Sequence, residues 1–365
     1  RLLICAGGTG GGVYPALSVL QALGSKAQPV LWVGGKGGME ADLVQRAGIP
    51  FASIPAAGLH GVGIGALPRN LTQLAQGTLA SRGILAEFKP DVLFFTGGFV
   101  AAPMAIAGRR IPTLLYVPDI EPGSAIKFLA RNATKIALTA IESQVYFGNP
   151  SRLVVTGYPT RSELIHWDKP EGRKKLGLHE HLPVLLVLGG SKGARSINRA
   201  LLSALPQILK LAQVVHISGQ LDWDEIQTAQ AQLPADLAKD YHAYSYLHEE
   251  IGAALASADL AISRAGASTM GEYPLFGLPA ILVPYPYAWR YQKVNADYLV
   301  GHGGAVIIKD EDLPLSLLDT VQGLLGNPGQ LGTMQTAMHA LWQPEAANHI
   351  ASLLEELAQE KEGIS

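Results

Sequence analysis

Charge, sulfur and long apolar runs are all scarce in this chain. Only 16% of its 365 residues are charged, and 28 basic side chains against 30 acidic ones leave a net charge near −2. No global field draws in nucleic acid or repels an anionic substrate, so no nucleic-acid partner is expected and any anion site must be built locally. The single cysteine, Cys5, lies in the apolar run Leu2-Leu3-Ile4-Cys5-Ala6. It cannot close an internal disulfide, reads as a core strand residue and sets the expectation of a reducing compartment. The longest uncharged stretch, between Asp91 and Arg109, is broken by Thr96-Gly97-Gly98 and by Pro103. It reads as a strand, a turn and a helix rather than a membrane span. No charged n-region, apolar h-region and cleavage site precede the first strand, so no secretion signal is expected, while a peripheral membrane contact stays open.

What the chain does have is length, apolar residues and glycine. With 48% apolar residues it can supply two cores. Short β-rich runs at 2–6, 30–33, 92–95 and 113–117 alternate with helix-length segments, the pattern of a parallel sheet covered by helices. The rhythm restarts at 184–188 and continues at 214–217, 260–262 and 280–283, which predicts a second domain. The charged stretch at 168–175, after Tyr158-Pro159-Thr160-Arg161, offers little to a core and reads as the linker. The expected organisation is a first domain over 1–160, a second over 161–343 and a closing helix over 344–365.

Glycine clusters where strands give way to helices: Gly7-Gly8-Thr9-Gly10-Gly11-Gly12, Thr96-Gly97-Gly98-Phe99-Val100 and Gly189-Gly190-Ser191-Lys192-Gly193-Ala194. Missing side chains let a ligand approach the backbone, and the free N–H groups and positive dipole end of a helix favour a phosphate. A dinucleotide fingerprint fails, because counting from Gly8 its third glycine falls on Val13. A Walker A motif fails for want of Gly-Lys-Ser/Thr. The run from Gly189 to Gly193 does match a hydrolase nucleophile elbow, with His302, His339 and His349 downstream, but a hydrolase leaves the first loop and its domain without a task.

In the second half, Ser263-Arg264-Ala265-Gly266-Ala267-Ser268-Thr269-Met270-Gly271-Glu272 joins a strand to a helix. Glu272 is placed to accept hydrogen bonds from the vicinal hydroxyls of a ribose, and Ser268, Thr269 and nearby amides to reach phosphates; a capped helix explains the same residues. Arg264 suits a structural ion pair. After Pro284-Tyr285-Pro286-Tyr287, Gln292 and Asn295 lie three apart on one helix face, where amides suit sugar hydroxyls.

In order, GGTGG, TGGFV, GYPTR, GGSKGA, SRAGASTMGE and PYPY followed by QKVNA resemble the signature segments of the MurG family, within glycosyltransferase family 28, over nearly the whole chain. The resemblance implies the GT-B architecture: two facing Rossmann-like, doubly wound α/β domains with the active site in the interdomain cleft. It implies inverting transfer of N-acetylglucosamine from UDP-GlcNAc to the undecaprenyl-linked N-acetylmuramyl-pentapeptide of peptidoglycan synthesis, lipid I to lipid II, at the cytoplasmic face of the cell membrane, with no redox cofactor and no essential metal. Residue by residue, it places Thr9, Gly10 and Gly11 near phosphates, Arg161 beside the donor, Ser191 on the diphosphate or uridine and Leu247 by the uracil. Ala267, Ser268, Thr269, Met270, Gly271 and Glu272 would hold diphosphate and ribose, and Gln292 with Asn295 the GlcNAc.

Two departures stand out. The histidine that follows GGTGG in the family is Gly12 here, and the family segment His-Glu-Gln-Asn reads Tyr116-Val117-Pro118-Asp119, before Ile120-Glu121-Pro122-Gly123. An inverting transfer needs a base near the attacking hydroxyl, and Asp119 and Glu121 are the carboxylates at hand, although both also suit helix capping or solvent. Lys192 stands where glutamine is common. The glycine-rich stretch 58–71, edged by Arg69 and with Arg82 beyond it, corresponds to the family's lipid-contact region; two basic residues supply only roughly 2 kcal/mol of attraction to anionic lipid. Two alternatives stay open: a related UDP-sugar transferase with a different acceptor, and a catalytically silent UDP-sugar binding protein.

Overall fold

The computed structural model describes residues 1–7, 10–38, 40–56, 67–190, 193–286 and 291–362. Two compact units divide the chain, Arg1–Arg161 with Gln343–Ser365, and Ser162–Trp342.

In the first unit, strands and helices follow as β1 (Leu2–Cys5), α1 (Gly10–Leu23), β2 (Val30–Gly35), α2 (Glu40–Arg46), β3 (Phe51–Ile54), α3 (Leu67–Phe88), β4 (Val92–Phe95), α4 (Ala101–Ala107), β5 (Thr113–Val117), α5 (Ser124–Leu129), β6 (Lys135–Leu138) and β7 (Leu153–Val155). Among the described residues they form one seven-stranded parallel sheet in the order β3-β2-β1-β4-β5-β6-β7. Every residue of β1, β4 and β5 is buried. Helices cover both faces of such a sheet, so its central strands are apolar throughout rather than alternating.

The second unit runs α6 (Lys169–Leu176), β8 (Val184–Leu188), α7 (Arg195–Ile208), β9 (Gln213–Ile217), α8 (Trp223–Ala231), α9 (Ala235–Ala238), β10 (Tyr241–Tyr244), α10 (Ile251–Ser257), β11 (Leu260–Ser263), α11 (Thr269–Phe276), β12 (Ala280–Leu282), α12 (Tyr291–Gly301), β13 (Ala305–Ile307), α13 (Leu313–Leu325) and α14 (Pro328–His339). Its parallel sheet has the order β10-β9-β8-β11-β12-β13. Helix α7 carries Ile197, Leu201, Leu205 and Ile208 at helical spacing, and all four are buried against β8, β9 and α13 residues. The chain then returns to the first unit as α15 (Ala346–Glu362), which packs on α1, β4 and β5. Ile350, Leu354 and Leu357 are buried there, and Lys26–Glu355 (3.0 Å) and Lys135–Glu356 (3.1 Å) ion pairs edge the contact.

The uncharged stretch between Asp91 and Arg109 resolves into β4, a glycine turn and α4, and no described helix is long and apolar enough to cross a membrane. The charged stretch at 168–175 is not a linker. It is α6, a helix of the second unit, started by Asp168 accepting the Glu171 N–H at 2.8 Å and ended by Gly177 in the left-handed conformation. Gly172 lies so close to the Ala253 carbonyl of α10 that a methyl group there would stand 2.5 Å from it. Arg173, 7% exposed, donates to Asp259 Oδ2 at 2.9 Å. Asp259 Oδ2 also accepts the Val184 N–H at 2.8 Å, so one carboxylate ties α6 to the start of the second sheet.

Removing that carboxylate leaves a buried guanidinium without its counter-charge. Asp259→Ala is expected to cost roughly 3 kcal/mol of stability, read as a lower urea midpoint for the second unit. A loss below about 1 kcal/mol would show that the carbonyl partners of Arg173 suffice without Asp259.

Candidate active site

In each sheet the strand order reverses beside the first strand, between β1 and β4 in one unit and between β8 and β11 in the other. Crossover helices leave to opposite faces at such a point and open a crevice at the carboxyl ends of the strands. The loops singled out by sequence sit there. Cys5 pairs with Phe95, so the chain leaves β1 at Ala6-Gly7 beside Thr96-Gly97, and Leu188 pairs with Ser263, so it leaves β8 at Gly189-Gly190 beside Arg264-Ala265.

In the first unit, the two loops are locked by close backbone contact. Gly98 has φ +84° and lies against the Gly7 carbonyl, where a methyl group would be 2.8 Å from the oxygen. Thr96 Oγ1 donates to the Gly12 carbonyl at 2.7 Å. Gly10 and Gly11 form the partly exposed first turn of α1. Arg161 stacks on the ring of Tyr14 at 4.4 Å, and that ring lies beside Gly10, so the guanidinium is held over the start of α1. Thr9 lies outside the described residues, as does most of the 58–71 stretch.

The carboxylate candidates differ. At the end of β5, Tyr116 and Val117 are fully buried, with the Tyr116 hydroxyl bonded to Thr139 Oγ1 at 2.7 Å and its pKa raised by burial. Val117, in the family's glutamate position, is part of the core. Asp119 is half-buried on the loop beyond. Glu121 is 6% exposed and lies 3.6 Å from Lys127 Nζ on α5, in an ion pair. A methyl group at Gly12 would meet nothing closer than 3.4 Å, so packing does not dictate glycine there.

In the second unit, Ser191 and Lys192 lie outside the described residues, but their loop is fixed on both sides. Gly193 (φ +77°) sits on the Ser218 carbonyl, where a methyl group would be 2.2 Å from the oxygen. Helix α7 then starts at Arg195 with Ala194 at its N-cap, which offers no side-chain cap to the first amides. In the 264–272 turn, the N–H groups of Thr269, Met270, Gly271 and Glu272 donate to the carbonyls of Gly266, Ala267 and Ser268. An anion is therefore left the amides of Ala267 and Ser268 and the Ser268 hydroxyl, since Thr269 Oγ1 donates to the Gly266 carbonyl at 2.7 Å. The Met270 side chain and Gly271 are buried, and Glu272 is partly exposed in the first turn of α11. Leu247 is half-buried after β10, between Tyr246 and His248, whose rings are 4.6 Å apart.

The two amides of α12 do different things. Gln292 Oε1 accepts the Tyr285 N–H at 2.8 Å, which commits that oxygen to the loop and leaves Nε2 as the end that meets a ligand. Asn295 is fully buried, and its Nδ2 donates to the Ala265 carbonyl at 3.2 Å, bracing the turn that carries Ala267 and Ser268. Arg264 is structural: it donates to Asp310, to the Val283 carbonyl at 3.1 Å and to Ser196 Oγ at 2.8 Å. His302, weighed as a hydrolase histidine, has Nδ1 on the Tyr298 carbonyl at 2.9 Å.

Sequence reasoning passed over Glu40. It is 2% exposed beneath the first loop, its Oε1 accepts the Gly35 N–H at 2.8 Å, and a methyl group on Gly7 would be 2.8 Å from that oxygen. A lone acid in Gly37-Gly38-Met39-Glu40 carries no local signal of burial. Tyr14 carries no local signal either, because its partner Arg161 lies at the far end of the first segment of that unit.

Known proteins carry the same arrangement. The chain matches the glycosyltransferase family 28 N-terminal domain over residues 2–138 and the family 28 C-terminal domain over residues 184–354. It is 40% identical to a UDP-N-acetylglucosamine–N-acetylmuramyl-(pentapeptide) pyrophosphoryl-undecaprenol N-acetylglucosamine transferase of Roseiflexus sp. (strain RS-1), covering 98% of this chain and 95% of that one. A transferase of the same name from Desulforudis audaxviator (strain MP104C) is 36% identical, with 98% of each chain covered. The crystal structure of Acinetobacter baumannii MurG superposes with a TM-score of 0.76 at 27% identity, over 97% of this chain and 99% of that one. With both halves matched and full-length relatives sharing more than a third of its residues, the chain belongs to glycosyltransferase family 28 and, within it, to the MurG family of N-acetylglucosamine transferases.

Proposed function

We propose that this enzyme transfers N-acetylglucosamine from UDP-GlcNAc to the 4-hydroxyl of the muramic acid in undecaprenyl-pyrophosphate-linked N-acetylmuramyl-pentapeptide, converting lipid I to lipid II with inversion at the sugar carbon. One observation carries this reading: full-length kinship with transferases of that name, in a chain whose glycine loops stand at the switch point of each sheet. The acceptor oxygen attacks C1 from the face opposite UDP, the C1–O bond to the diphosphate breaks, and the hydroxyl proton passes to a base. Charge develops on the departing diphosphate. The uncapped N-terminus of α7 and the Ala267 and Ser268 amides favour that charge, which is the main catalytic contribution expected of the second unit. Glu272 takes the ribose hydroxyls, with Ser191 and Leu247 on the uridine side and Gln292 on the sugar. Asn295 serves the sugar side by holding the Ala265 turn, and Gly10, Gly11, Thr9 and Arg161 serve phosphates from the first unit.

Of the two carboxylates near the acceptor side, Asp119 is the better base. Glu121 is buried and committed to Lys127, and breaking that pair for each proton transfer would cost energy at the moment of reaction. Asp119 stands on the same loop, half-buried, two residues beyond the valine that replaces the family's glutamate.

The enzyme works at the cytoplasmic face of the membrane by peripheral contact in this reading. Exposed Leu71 (49%) and Leu79 (69%) share a stripe of α3 with Arg82, and Ile106 is exposed on α4, which packs against α3. Gly108 lies beside Leu85 of α3, and exposed Arg109 and Arg110 follow it. Three arginines near a leaflet supply about 3 kcal/mol of attraction to anionic lipid, to which the leucines add insertion.

Purified protein with UDP-GlcNAc and a short-chain lipid I analogue is expected to form the disaccharide product; donor binding without product would point to another acceptor. Asp119→Asn is expected to lower kcat by about a hundredfold or more with the donor KM little changed, while Glu121→Gln loses far less. Full turnover of Asp119→Asn across the accessible pH range would remove Asp119 as the base. Glu272→Ala should raise the donor KM about tenfold, and a 2′-deoxyribose donor should bind the wild type equally poorly but the variant no worse than the natural donor. Additive losses would place Glu272 elsewhere. Leu79→Glu should weaken co-sedimentation with vesicles containing anionic lipid while leaving turnover of a detergent-soluble acceptor intact, and unchanged sedimentation would exclude the α3 face.

A further inference from the structure

The second glycine loop rests on a buried chain of hydrogen bonds that the proposed catalysis does not use. His216, on β9, is 0% exposed. Its Nδ1 meets the Tyr241 hydroxyl at 2.7 Å, and its Nε2 meets Asn198 Oδ1 at 3.0 Å. Asn198 is 1% exposed in α7, and its Nδ2 donates to the Ser218 carbonyl and to Asp222 Oδ2, both at 2.9 Å. Asp222 Oδ1 in turn accepts Arg195 Nε at 2.8 Å, from the first turn of α7.

The directions in this chain are determined. Both Nδ2 hydrogens of Asn198 are taken by acceptors, so its oxygen faces His216, and Nε2 of the imidazole must carry the proton and donate. Nδ1 is then the acceptor, and the Tyr241 hydroxyl donates to it. Burial pushes the imidazole down to about 3 against the pull of Asp222, so the ring stays neutral and the directions do not change at any pH at which the protein works.

Two things hang on this chain. The Ser218 carbonyl that Asn198 binds is the surface on which Gly193 sits, and Asp222, which Asn198 also binds, holds Arg195 at the start of α7. We infer that His216 is a positioning residue for the donor diphosphate: by orienting the Asn198 amide it fixes both the seat of Gly193 and the first turn of α7, and with them the backbone that meets the phosphates. The inference rests on the reading of the 189–194 loop as the diphosphate site.

The test uses the full-length enzyme and measures binding of UDP and of uridine by calorimetry or by inhibition, together with the kinetics of transfer. The variants are His216→Gln, His216→Asn, His216→Leu and Tyr241→Phe. A glutamine amide reaches the place of Nε2 and can still donate to Asn198, whereas asparagine and leucine cannot. Asn and Leu are expected to weaken UDP binding and raise the donor KM about tenfold, with the acceptor KM near the wild-type value. Gln should restore most of the loss. Tyr241→Phe, which removes only the donor to Nδ1, should lose less than Asn or Leu. Uridine, which has no phosphates, should bind all variants alike.

A wild type that binds no UDP would sink the functional reading itself. A wild type that binds UDP alongside an asparagine or leucine variant that binds it equally well would overturn the inference alone. So would uridine losing as much as UDP, which would mean general loosening of the second unit, or glutamine performing no better than asparagine. Should the leucine variant fail to fold, the glutamine and asparagine pair and Tyr241→Phe still decide.

Discussion

The contact on which the active site depends is one of backbone with backbone at the carboxyl ends of the central strands, between the loops after β1 and β4 in the first sheet and after β8 and β9 in the second. Gly98 lies on the Gly7 carbonyl and Gly193 on the Ser218 carbonyl, each at a distance that no side chain tolerates. Because Gly193 is seated so closely, α7 starts two residues beyond it, and its first amides meet no side-chain cap. A side chain at either glycine would lift the loop from its seat. The rest of the site is arranged around this constraint: Thr96 and Glu40 hold the first loop from below, and Asn295 holds the Ala265 turn beside the second. Stability and anion binding thus draw on the same close approach.

The two larger departures from the family pattern, at Gly12 and at 116–119, lie in the first unit and are of chemistry rather than of shape. Gly12 leaves room for a methyl group, so close backbone contact does not dictate glycine there. At the end of β5 the exchange goes the other way. Val117 is absorbed into the core, and the next carboxylate along the chain is the half-buried Asp119, two residues on. A carboxylate loses its hydration less at Asp119 than at Glu121, where Lys127 supplies a counter-charge to the buried group.

The centre of each sheet was legible in the sequence and the edges were not. Strands such as β5 and β8 are covered on both faces and therefore read as unbroken apolar runs, whereas β3, β7, β10 and β13 stand at sheet edges, are partly exposed and run for only three or four residues, too short to show a pattern. Helix α6 was misread as a linker because its charges predict solvent, whereas the distant Asp259 and the carbonyls of Ser257, His179 and Glu180 together make it possible to bury Arg173. The glycine loops were legible because a need for close approach is written in one residue type. Partnerships were not: Arg264 finds Asp310 46 positions away, and Gln292 and Asn295, alike on a helical wheel, differ because one lies at the loop and the other wholly inside.

The two braces of the second loop pair also differ in a way that matters when a diphosphate arrives. Arg264 is a fixed charge beside the 264–268 turn, countered by Asp310, and its pair is sensitive to any further negative charge nearby. The chain from Tyr241 through His216 to Asn198 is neutral, and formal charge appears only at its far end, on Asp222 and Arg195. An imidazolium in that place would be attracted to the ligand and would change its protonation on binding, coupling donor affinity to pH. A neutral imidazole, held so by burial, exerts no such pull. It fixes the geometry of the Asn198 amide, and with it the seat of Gly193, without contributing charge.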